Sequence, residues 1–391
     1  MADVKDYGEL FTADILVVGG SMSGLTTAIR AKENNPELDI LVIDKGVIGW
    51  NGQSTKAGNG IRATSKHPDG VMNALGYLVH AHTPFLNDQE FLKRYLEVHR
   101  DNIDYMKHCG VQLSCDEEGN ATPLPFIPDA LDMAGVSINV NAQLRAFALK
   151  LGIRLMSRVN IFELLTSKTG KVIGAIGFDM DHGECKIFHA KAVAMATQGC
   201  HFKKIGLEFM GYGTGVGAMY RVGALMRNVE ISTQVDVVFK KTNTPIYGGF
   251  NMICNKHGEN LTQKYIGHVE WEVTPALVNA MVQEIAAGNG PLWVDLEKPD
   301  EVRMMIGGTD MDESTQRMLR DKMAWEHLVF TKTAKNIGEV GTKPETTIKT
   351  VIQVEPIKVD TDIKTDVEGF GLPARFPRRA TLTSAGHAAT A

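Results

Sequence analysis

The chain has 391 residues, of which 43% are hydrophobic and 22% are charged, and its formal net charge is −5 at pH 7. This balance is typical of a soluble globular protein and gives no support to a nucleic-acid or anionic-membrane partner. No stretch approaches the roughly eighteen apolar residues that a membrane-spanning helix needs, and the N-terminus has no charged-then-apolar leader. We therefore expect a cytoplasmic protein without direct membrane insertion, and the length predicts two or three domains.

The five cysteines are dispersed and form no Cys-x-x-Cys pair. The sequence therefore encodes neither a cysteine-ligated iron–sulfur cluster nor a structural zinc site. Scattered thiols of this kind fit a reducing compartment. His80, His82 and His108 have no partners at metal-ligand spacing, so we predict no metal site.

The first predicted unit is a strand, a glycine turn, a helix and a second strand within residues 13–45. Residues 15–18 form an apolar run typical of a buried parallel strand, and residues 25–32 follow a helical pattern. Residues 40–43 form a second apolar run that ends on Asp44. The turn exposes backbone N–H groups at a helix N-terminus, where a pyrophosphate is stabilised, and Asp44 is placed to accept from a ribose hydroxyl.

The glycine turn departs from the Gly-x-Gly-x-x-Gly pattern at one position. Gly19 and Gly24 occupy the first and third glycine positions, but Ser21 occupies the second. The flanking strands and acid still favour a dinucleotide site, and the alternative is an ordinary strand–helix turn with a solvated Asp44. This unit alone does not distinguish NAD from FAD. The predicted contacts in it are Gly19, Gly20, Ser21, Met22, Ser23, Gly24, Asp44 and Lys45.

Residues 49–61 form a loop rich in glycine and hydroxyl side chains directly after the second strand. Such a loop suits close passage of the backbone along an extended ligand, with Ser54 and Thr55 as hydrogen-bond donors. A plain surface loop is the alternative. The candidate ligand contacts here are Ser54, Gly58, Asn59 and Gly60.

The middle of the chain predicts further helices and strands. Helical periodicity covers residues 91–109 and again residues 140–151. A glycine turn at residues 181–183 closes a predicted hairpin. The predicted strands are residues 153–155, 159–165, 171–178, 184–188 and a buried run at 191–199 that enters a glycine turn.

The order of these elements carries a resemblance. The hairpin and the Ala196-Thr197-x-Gly199 turn are followed by Thr-Gly-Val-Gly-Ala-Met-Tyr-Arg-Val-Gly-Ala at residues 214–224. Together with the N-terminal unit, this set resembles the succinate dehydrogenase/fumarate reductase flavoprotein family, which includes the alpha subunit of adenylylsulfate reductase. Residues 248–259 and 281–296 are similar to the family's capping-domain segments, and the second is particularly like the adenylylsulfate reductase branch.

The resemblance implies an α/β fold, in which a Rossmann-like FAD-binding domain carries an inserted α+β capping domain. Residues 1–235 would form the FAD-binding domain, residues 236–345 the capping domain, and residues 346–391 a return segment, incomplete and divergent after about residue 369. It implies a flavin-dependent oxidoreductase acting on a small molecule, with a possible iron–sulfur partner subunit for electron transfer.

The resemblance also assigns roles to residues along the chain. Arg221, Glu259 and His257 are candidate catalytic residues, and Glu230 is a further candidate substrate contact. A structural salt bridge for Arg221 and a turn position for His257 are the alternatives. The cofactor-binding residues added in this way are Val159, Ala196, Thr197 and Gly199.

Several positions depart from the family pattern. Gln53 stands where respiratory members have the histidine that carries covalent flavin, so FAD should bind non-covalently here. Val216 replaces a motif aspartate, and Val235 falls on a histidine position. The segment that matches the family's proton-donating arginine contains Asn279 instead, and an amide does not titrate in the useful range. The residues of the usual fumarate mechanism are therefore incomplete.

The C-terminal residues change in composition. After Glu368 the chain has no acidic residue and accumulates Arg, Pro, Ala and Thr. This shift suggests a truncated or frameshifted product, with a divergent natural tail as the alternative. The function classes left open are an adenylylsulfate reductase alpha-like subunit, a truncated flavoprotein remnant without activity, and a nicotinamide-dependent dehydrogenase. No sequence feature fixes the substrate.

Overall fold

The computed structural model describes residues 7–55, 60–82, 85, 88–113, 115, 123–137, 139–197, 199–202, 211–227, 233–241, 244–245, 252–267, 275–295, 345–354, 358 and 365–371. The first strands are β1 (Glu9–Val18), β2 (Ile40–Asp44), β3 (Gly60–Thr64), β4 (Leu124–Ile127), β5 (Leu131–Gly135), β6 (Arg154–Ser157), β7 (Val159–Thr166), β8 (Val172–Asp179) and β9 (Cys185–Met195). The later strands are β10 (Cys200–Phe202), β11 (Thr233–Phe239), β12 (Thr244–Pro245), β13 (Ile253–Cys254), β14 (Leu292–Val294), β15 (Glu345–Val354) and β16 (Phe370–Gly371). The α-helices are α1 (Met22–Asn34), α2 (Gly70–Tyr77), α3 (Gln89–His99), α4 (Asp101–His108), α5 (Val140–Lys150), α6 (Thr214–Arg221), α7 (Leu261–Tyr265) and α8 (Pro275–Ala286), with a 3₁₀ turn at Gln53–Thr55 and a π turn at Leu78–His82.

The main sheet has the strand order β6-β2-β1-β9-β8-β7, with β16 paired to β9. The strands β6, β2, β1 and β9 run parallel, whereas β9, β8 and β7 form an antiparallel meander. Val17 and Val42 pack with α1 and α5 on one face, and Leu16 and Leu41 pack with Phe188 on the other. Because both faces are covered, the central strands are apolar at consecutive positions rather than alternate ones.

A second, antiparallel sheet has the order β12-β11-β15-β14-β13, and β10 pairs with β15. The helices α7 and α8 pack on it through Leu261, Leu277 and Met281. A small antiparallel sheet, β3-β5-β4, lies beside α2 and α3 through Leu96 and Leu131. The predicted α/β class, with a second unit of mixed helices and antiparallel strands, is confirmed.

Two predicted elements differ from those observed. The predicted helix at 91–109 is two helices, α3 and α4, which meet at Arg100. The Arg100 side chain donates to Thr64 O at 2.8 Å and to Asp132 Oδ2 at 2.7 Å, so the break is fixed to the small sheet. The predicted strands at 184–188 and 191–199 are one strand, β9, because its full length pairs with β1 while its first half pairs with β8.

The C-terminal described segment returns to the main sheet. Glu368 O accepts from Val172 N at 2.9 Å, and Gly369 O accepts from Val193 N at 3.0 Å. These bonds place β16 beside β9 in parallel orientation. The compositionally unusual tail from residue 372 onward lies outside the described residues.

Candidate functional site

The glycine turn after β1 lies where the parallel strand order changes direction. β1 pairs with β2 on one side and with β9 on the other. Gly19 N donates to Ile43 O at 2.7 Å, and Ala196 N donates to Val18 O at 2.7 Å, so the carboxyl ends of all three strands meet at the turn. This is the crevice in which open α/β sheets bind their ligands.

Glycine is required at both ends of this turn. Gly19 has φ +111°, and a Cβ there would lie 2.4 Å from Ala196 O. A Cβ on Gly24 would lie 1.7 Å from Gly19 O. Both obstacles are backbone atoms, which cannot rotate away as a side chain can. The turn is therefore pressed against both its own helix and the end of β9.

The N-terminus of α1 presents unused donors at the same place. The first intrahelical bond that reaches back to the cap runs from Leu25 N to Ser21 O at 2.9 Å. The N–H groups of residues 21–24 precede it and so have no acceptor within the helix. With the helix dipole, they form a site for an anion such as the diphosphate of a dinucleotide.

Asp44 is buried, with 7% of its surface exposed, and its carboxylate organises the turn. Asp44 Oδ2 accepts from Gly20 N at 2.6 Å. Asp44 Oδ1 accepts from Gly46 N at 2.7 Å and from Asn51 Nδ2 at 2.6 Å. A carboxylate oxygen accepts about two hydrogen bonds, so Oδ2 retains room for one ribose hydroxyl. Asn51 was not predicted, although it lies in the glycine-rich loop seven positions after Asp44.

The Ser21 side chain occupies space that Gly52 leaves. A Cβ on Gly52 would lie 2.3 Å from Ser21 Oγ and 2.5 Å from Ser21 Cβ. Ser21 Oγ is hydrogen-bonded to Ser54 Oγ at 2.7 Å. Ser21 and Ser54, both predicted to contact the ligand, are thus brought together, and Ser54 is 1% exposed. The hydroxyl of Thr55 donates to Gly52 O at 2.8 Å within the same loop.

Two further predicted contacts flank the end of β2. Lys45 Nζ lies 4.3 Å from the ring centre of Tyr212, just before α6. Val159 begins β7 and is buried, next to Arg158, whose backbone N donates to Gly46 O at 3.0 Å. The structure therefore places both residues beside the carboxyl end of β2.

The Ala196–Gly199 turn supplies a buried hydroxyl without a partner. Thr197 Oγ1 is inaccessible to solvent and makes no hydrogen bond. A Cβ on Gly215 would lie 2.2 Å from that oxygen, so the first turn of α6 closes over it. A buried polar atom left without a protein partner indicates a ligand or ordered water. Gly199 is buried after this turn, whereas Gly58 and Asn59 lie outside the described residues and Gly60 begins β3.

Arg221 lies on α6 with half of its side chain exposed. Its Nε donates to Glu163 Oε2 at 2.6 Å, and its second terminal nitrogen donates to Phe162 O at 2.6 Å. These bonds tie α6 to β7, which is a structural role. A catalytic role for Arg221 stays a prediction.

The other predicted catalytic residues lie in the turn after β13. His257 is exposed, and its backbone N donates to Asn255 Oδ1 at 3.0 Å. Glu259 Oε2 accepts from Lys264 Nζ at 2.8 Å, which holds the pKa of Glu259 below its usual range. Glu259 is therefore ionised at neutral pH and is not a general acid there. Glu230 lies outside the described residues.

A buried glutamate anchors the same turn. Glu284 on α8 is fully buried, and it accepts from Lys264 Nζ at 2.9 Å, from Asn255 Nδ2 at 2.8 Å and from the Tyr265 hydroxyl. The Lys264 and Tyr265 bonds lower the pKa of Glu284 to about 2. Asn255 also donates to Glu259 Oε2 at 2.7 Å. The turn that carries His257 and Glu259 is thus held by one cluster of charge-assisted bonds.

Comparison with known proteins shows the family of the chain. A family model described as "FAD binding domain" matches residues 14–381. The chain belongs to this FAD-binding family. The matched range includes the glycine turn, Asp44, the Ala196–Gly199 turn and the second sheet.

Individual relatives are more distant. The 8-methylmenaquinol:fumarate reductase flavoprotein subunit of Wolinella succinogenes is 21% identical over 296 residues, which cover 71% of this chain and 47% of that protein. The chain thus spans about half the length of this relative. A quinol fumarate reductase from E. coli has a TM-score of 0.72 and 18% identity, covering 98% of this chain and 66% of that chain. An adenylylsulfate reductase from Archaeoglobus fulgidus has a TM-score of 0.70 and 18% identity, and the match covers 97% of this chain and 68% of that chain.

Among the described residues, no three or more His, Cys, Asp or Glu side chains are grouped so that they could hold a metal ion. Over the same residues, no helix combines the length and apolar character needed to cross a membrane.

Proposed function

We propose that this chain is the flavoprotein part of an oxidoreductase and that it binds FAD non-covalently. The observation that carries the proposal is the junction of β1, β2 and β9, where a tightly packed glycine turn, free helix N–H groups and the carboxylate of Asp44 converge. These groups match the parts of the FAD adenosine diphosphate, since N–H donors suit the diphosphate and an acid suits the ribose.

The residues would share the binding as follows. The N–H groups of residues 21–24 would hold the diphosphate, Asp44 Oδ2 would accept from the adenosine ribose, and the unpartnered Thr197 hydroxyl would donate to the cofactor near the end of β9. FAD supplies the hydride and electron transfer when bound, and the protein supplies position and charge. A non-covalent link follows from Gln53, because an amide cannot form the histidyl bond of respiratory relatives.

The favoured reaction is reduction or oxidation of a small anionic substrate in the manner of fumarate reductases. The curated relatives with significant similarity are fumarate reductase flavoprotein subunits. An adenylylsulfate reductase alpha-like activity is the second candidate. The similarity of residues 281–296 to that branch supports it, as does a TM-score of 0.71 to an adenosine-5-phosphosulfate reductase in complex with sulfite, at 18% identity. The family's arginine position holds Asn279, which is exposed on α8, so the proton donor would differ from that of fumarate reductases.

An electron-transfer partner is part of the proposal. The five dispersed cysteines contain no cluster-binding pattern, so single electrons would come from an iron–sulfur subunit or a soluble donor.

Anaerobic flavin titration separates the two reactions. The purified chain, loaded with FAD and reduced by dithionite, is mixed with fumarate, and the oxidised chain is mixed with sulfite plus AMP. Reoxidation by fumarate at a rate well above the buffer control supports the fumarate-type reaction, and bleaching by sulfite that depends on AMP supports the second candidate. Binding of FAD without either response would contradict both substrate classes while leaving the flavin site intact.

A further inference from the structure

A buried asparagine outside the predicted site bonds to two of its serines, Ser21 and Ser54. Asn141 is the second residue of α5 and has 0% exposure. Its Nδ2 donates to Ser21 Oγ at 3.2 Å and to Asn51 O at 3.0 Å. Ser54 Oγ donates to Asn141 Oδ1 at 3.0 Å. Asn141 thus connects α5, the glycine turn and the loop after β2.

The directions of these bonds are determined by proton counting. Ser54 has one hydroxyl proton, which goes to Asn141 Oδ1, so Ser21 must be the donor in the 2.7 Å contact with Ser54. The amide of Asn141 then donates back to Ser21 and closes a ring of three bonds. The orientation of the amide is fixed because its other N–H faces the carbonyl of Asn51, which only a donor can satisfy.

We propose that Asn141 is a positioning residue of the FAD site, which closes this ring and thereby holds the loop after β2 on the diphosphate-binding turn. The inference rests on the proposed FAD function. Since both serine protons are used inside the ring, neither hydroxyl donates to the diphosphate. The serine at the second glycine position is accommodated because its side chain turns away from the ligand, into the space left by Gly52.

The ring also bears on Asp44. The loop segment that Asn141 holds through Asn51 O carries the Asn51 amide, which donates to Asp44 Oδ1 at 2.6 Å. Loss of Asn141 therefore loosens the loop and the orientation of the ribose-binding carboxylate together. Buried groups left without partners cost free energy, so we expect the Kd for FAD to rise about tenfold in Asn141→Ala.

The experiment measures the FAD Kd of the full chain by flavin fluorescence, and the unfolding of the apoprotein by circular dichroism. The variants are Asn141→Ala, Ser54→Ala and their combination. The control is Asn139→Ala, which changes an exposed asparagine two positions earlier whose side chain makes no capping bond to α5. Substitutions within one ring are coupled rather than independent. The increase in FAD Kd of the double variant should therefore be smaller, by at least about fivefold, than the product of the increases measured for Asn141→Ala and Ser54→Ala.

A pH profile separates positioning from a merely packed side chain. In Asn141→Asp, a neutral carboxyl keeps one donor and one acceptor for the ring, whereas the carboxylate has no donor. Burial raises the pKa of such a carboxyl above its usual range, and the carboxylate fraction grows as the pH rises. The ratio of the variant Kd to the wild-type Kd should therefore rise about fivefold or more between pH 5.5 and 8.5.

The outcomes are distinct. Wild-type protein that takes up no FAD contradicts the proposed function. Wild-type protein that binds FAD, with Asn141→Ala within twofold of it or with strictly additive single effects, overturns the role of Asn141 alone. If Asn141→Ala does not fold, the FAD Kd values of Ser54→Ala and Asn141→Asp test the role of Asn141 instead. A ratio of variant Kd to wild-type Kd that does not change with pH in Asn141→Asp likewise overturns the inference.

Discussion

Gly24 shows how closely the backbone is packed at the glycine turn after β1. A Cβ at this position would lie 1.7 Å from Gly19 O, and the obstacle is backbone. We predict that Gly24→Ala forces α1 away from β1, lowers the free energy of unfolding by about 3 kcal/mol and abolishes FAD retention. Urea unfolding and the flavin content of the purified protein measure both effects.

The matched control for that variant is Gly76→Ala on α2. Nothing lies within 4 Å of a Cβ built at Gly76, so the helix should gain up to about 1 kcal/mol of stability. FAD retention should not change. If Gly24→Ala retained flavin as well as Gly76→Ala does, this would contradict the close packing of Gly24 against Gly19 O.

Substitution of Arg221 tests whether its side chain has a structural or a catalytic role. Its guanidinium is half exposed and bonds to Glu163 and to the Phe162 carbonyl. An exposed ion pair contributes about 0–1 kcal/mol, so Arg221→Gln should lower stability only slightly. We predict that fumarate reoxidises the reduced flavin of Arg221→Gln at a rate within about twofold of the wild-type rate, which stopped-flow absorbance measures. A loss of a hundredfold or more would restore Arg221 as a catalytic residue.

At the scale of elements, the helices α7 and α8 are joined by the carboxylate of Glu284. Lys264 and Tyr265 lower its pKa from 4.5 to about 2, so the bonds favour the ionised form in the folded protein. A depressed pKa contributes stability that is present above the unfolded-state value and is lost as pH falls toward the folded-state value. This contribution is therefore complete above pH 4.5 and disappears on approach to pH 2.

The variant Glu284→Gln removes this contribution. The difference in unfolding free energy between wild type and variant should be about 1–3 kcal/mol at pH 6.5 and should shrink as pH falls below 4.5. Urea unfolding at a series of pH values measures it. Glu97→Gln on α3, which changes an exposed glutamate paired with Arg94 at 3.5 Å, is the control. A difference that stays constant with pH would contradict an ionised, buried Glu284.

Sequence patterns were sufficient for elements whose signal is local. The first strand, turn, helix and strand were predictable because apolar periodicity and glycine positions act within about thirty residues. The continuity of β9 was not predictable, because it depends on pairing with β1, 177 residues away in the register Glu9↔Lys186. The break at Arg100 likewise depends on bonds to Thr64 and Asp132 in another element.

The same distinction holds for the site. Gly19, Gly24 and Asp44 belong to the dinucleotide-binding sequence motif, in which the spacing of the glycines and the acid has a known physical reason. Their positions were therefore predictable. Nothing in the local sequence marks Asn141 as part of the site, because an asparagine near the start of a helix is usually explained by capping. Its role arises only when α5 is brought beside Ser21, 120 positions earlier in the chain. Buried polar rings of this kind are formed by tertiary structure.

At the scale of the whole molecule, the proposed FAD site is assembled from distant parts of the chain. The turn after β1, the loop after β2, the start of α5 and the end of β9 all meet at one edge of the main sheet. Residues 365–371 return to the same sheet beside β9. A cofactor that contacts so many segments should stabilise the whole fold, because ligand binding to the folded state adds to its stability.

The central claim is that this chain binds FAD non-covalently, and acid release of the flavin tests it most directly. The full chain is purified, its visible spectrum is recorded, and trichloroacetic acid then separates bound flavin from precipitated protein. We predict a flavin spectrum, about one FAD per chain, and all of the flavin in the supernatant as FAD. A colourless protein that FAD cannot reconstitute would contradict the site, and flavin that remains in the protein pellet would contradict the non-covalent attachment.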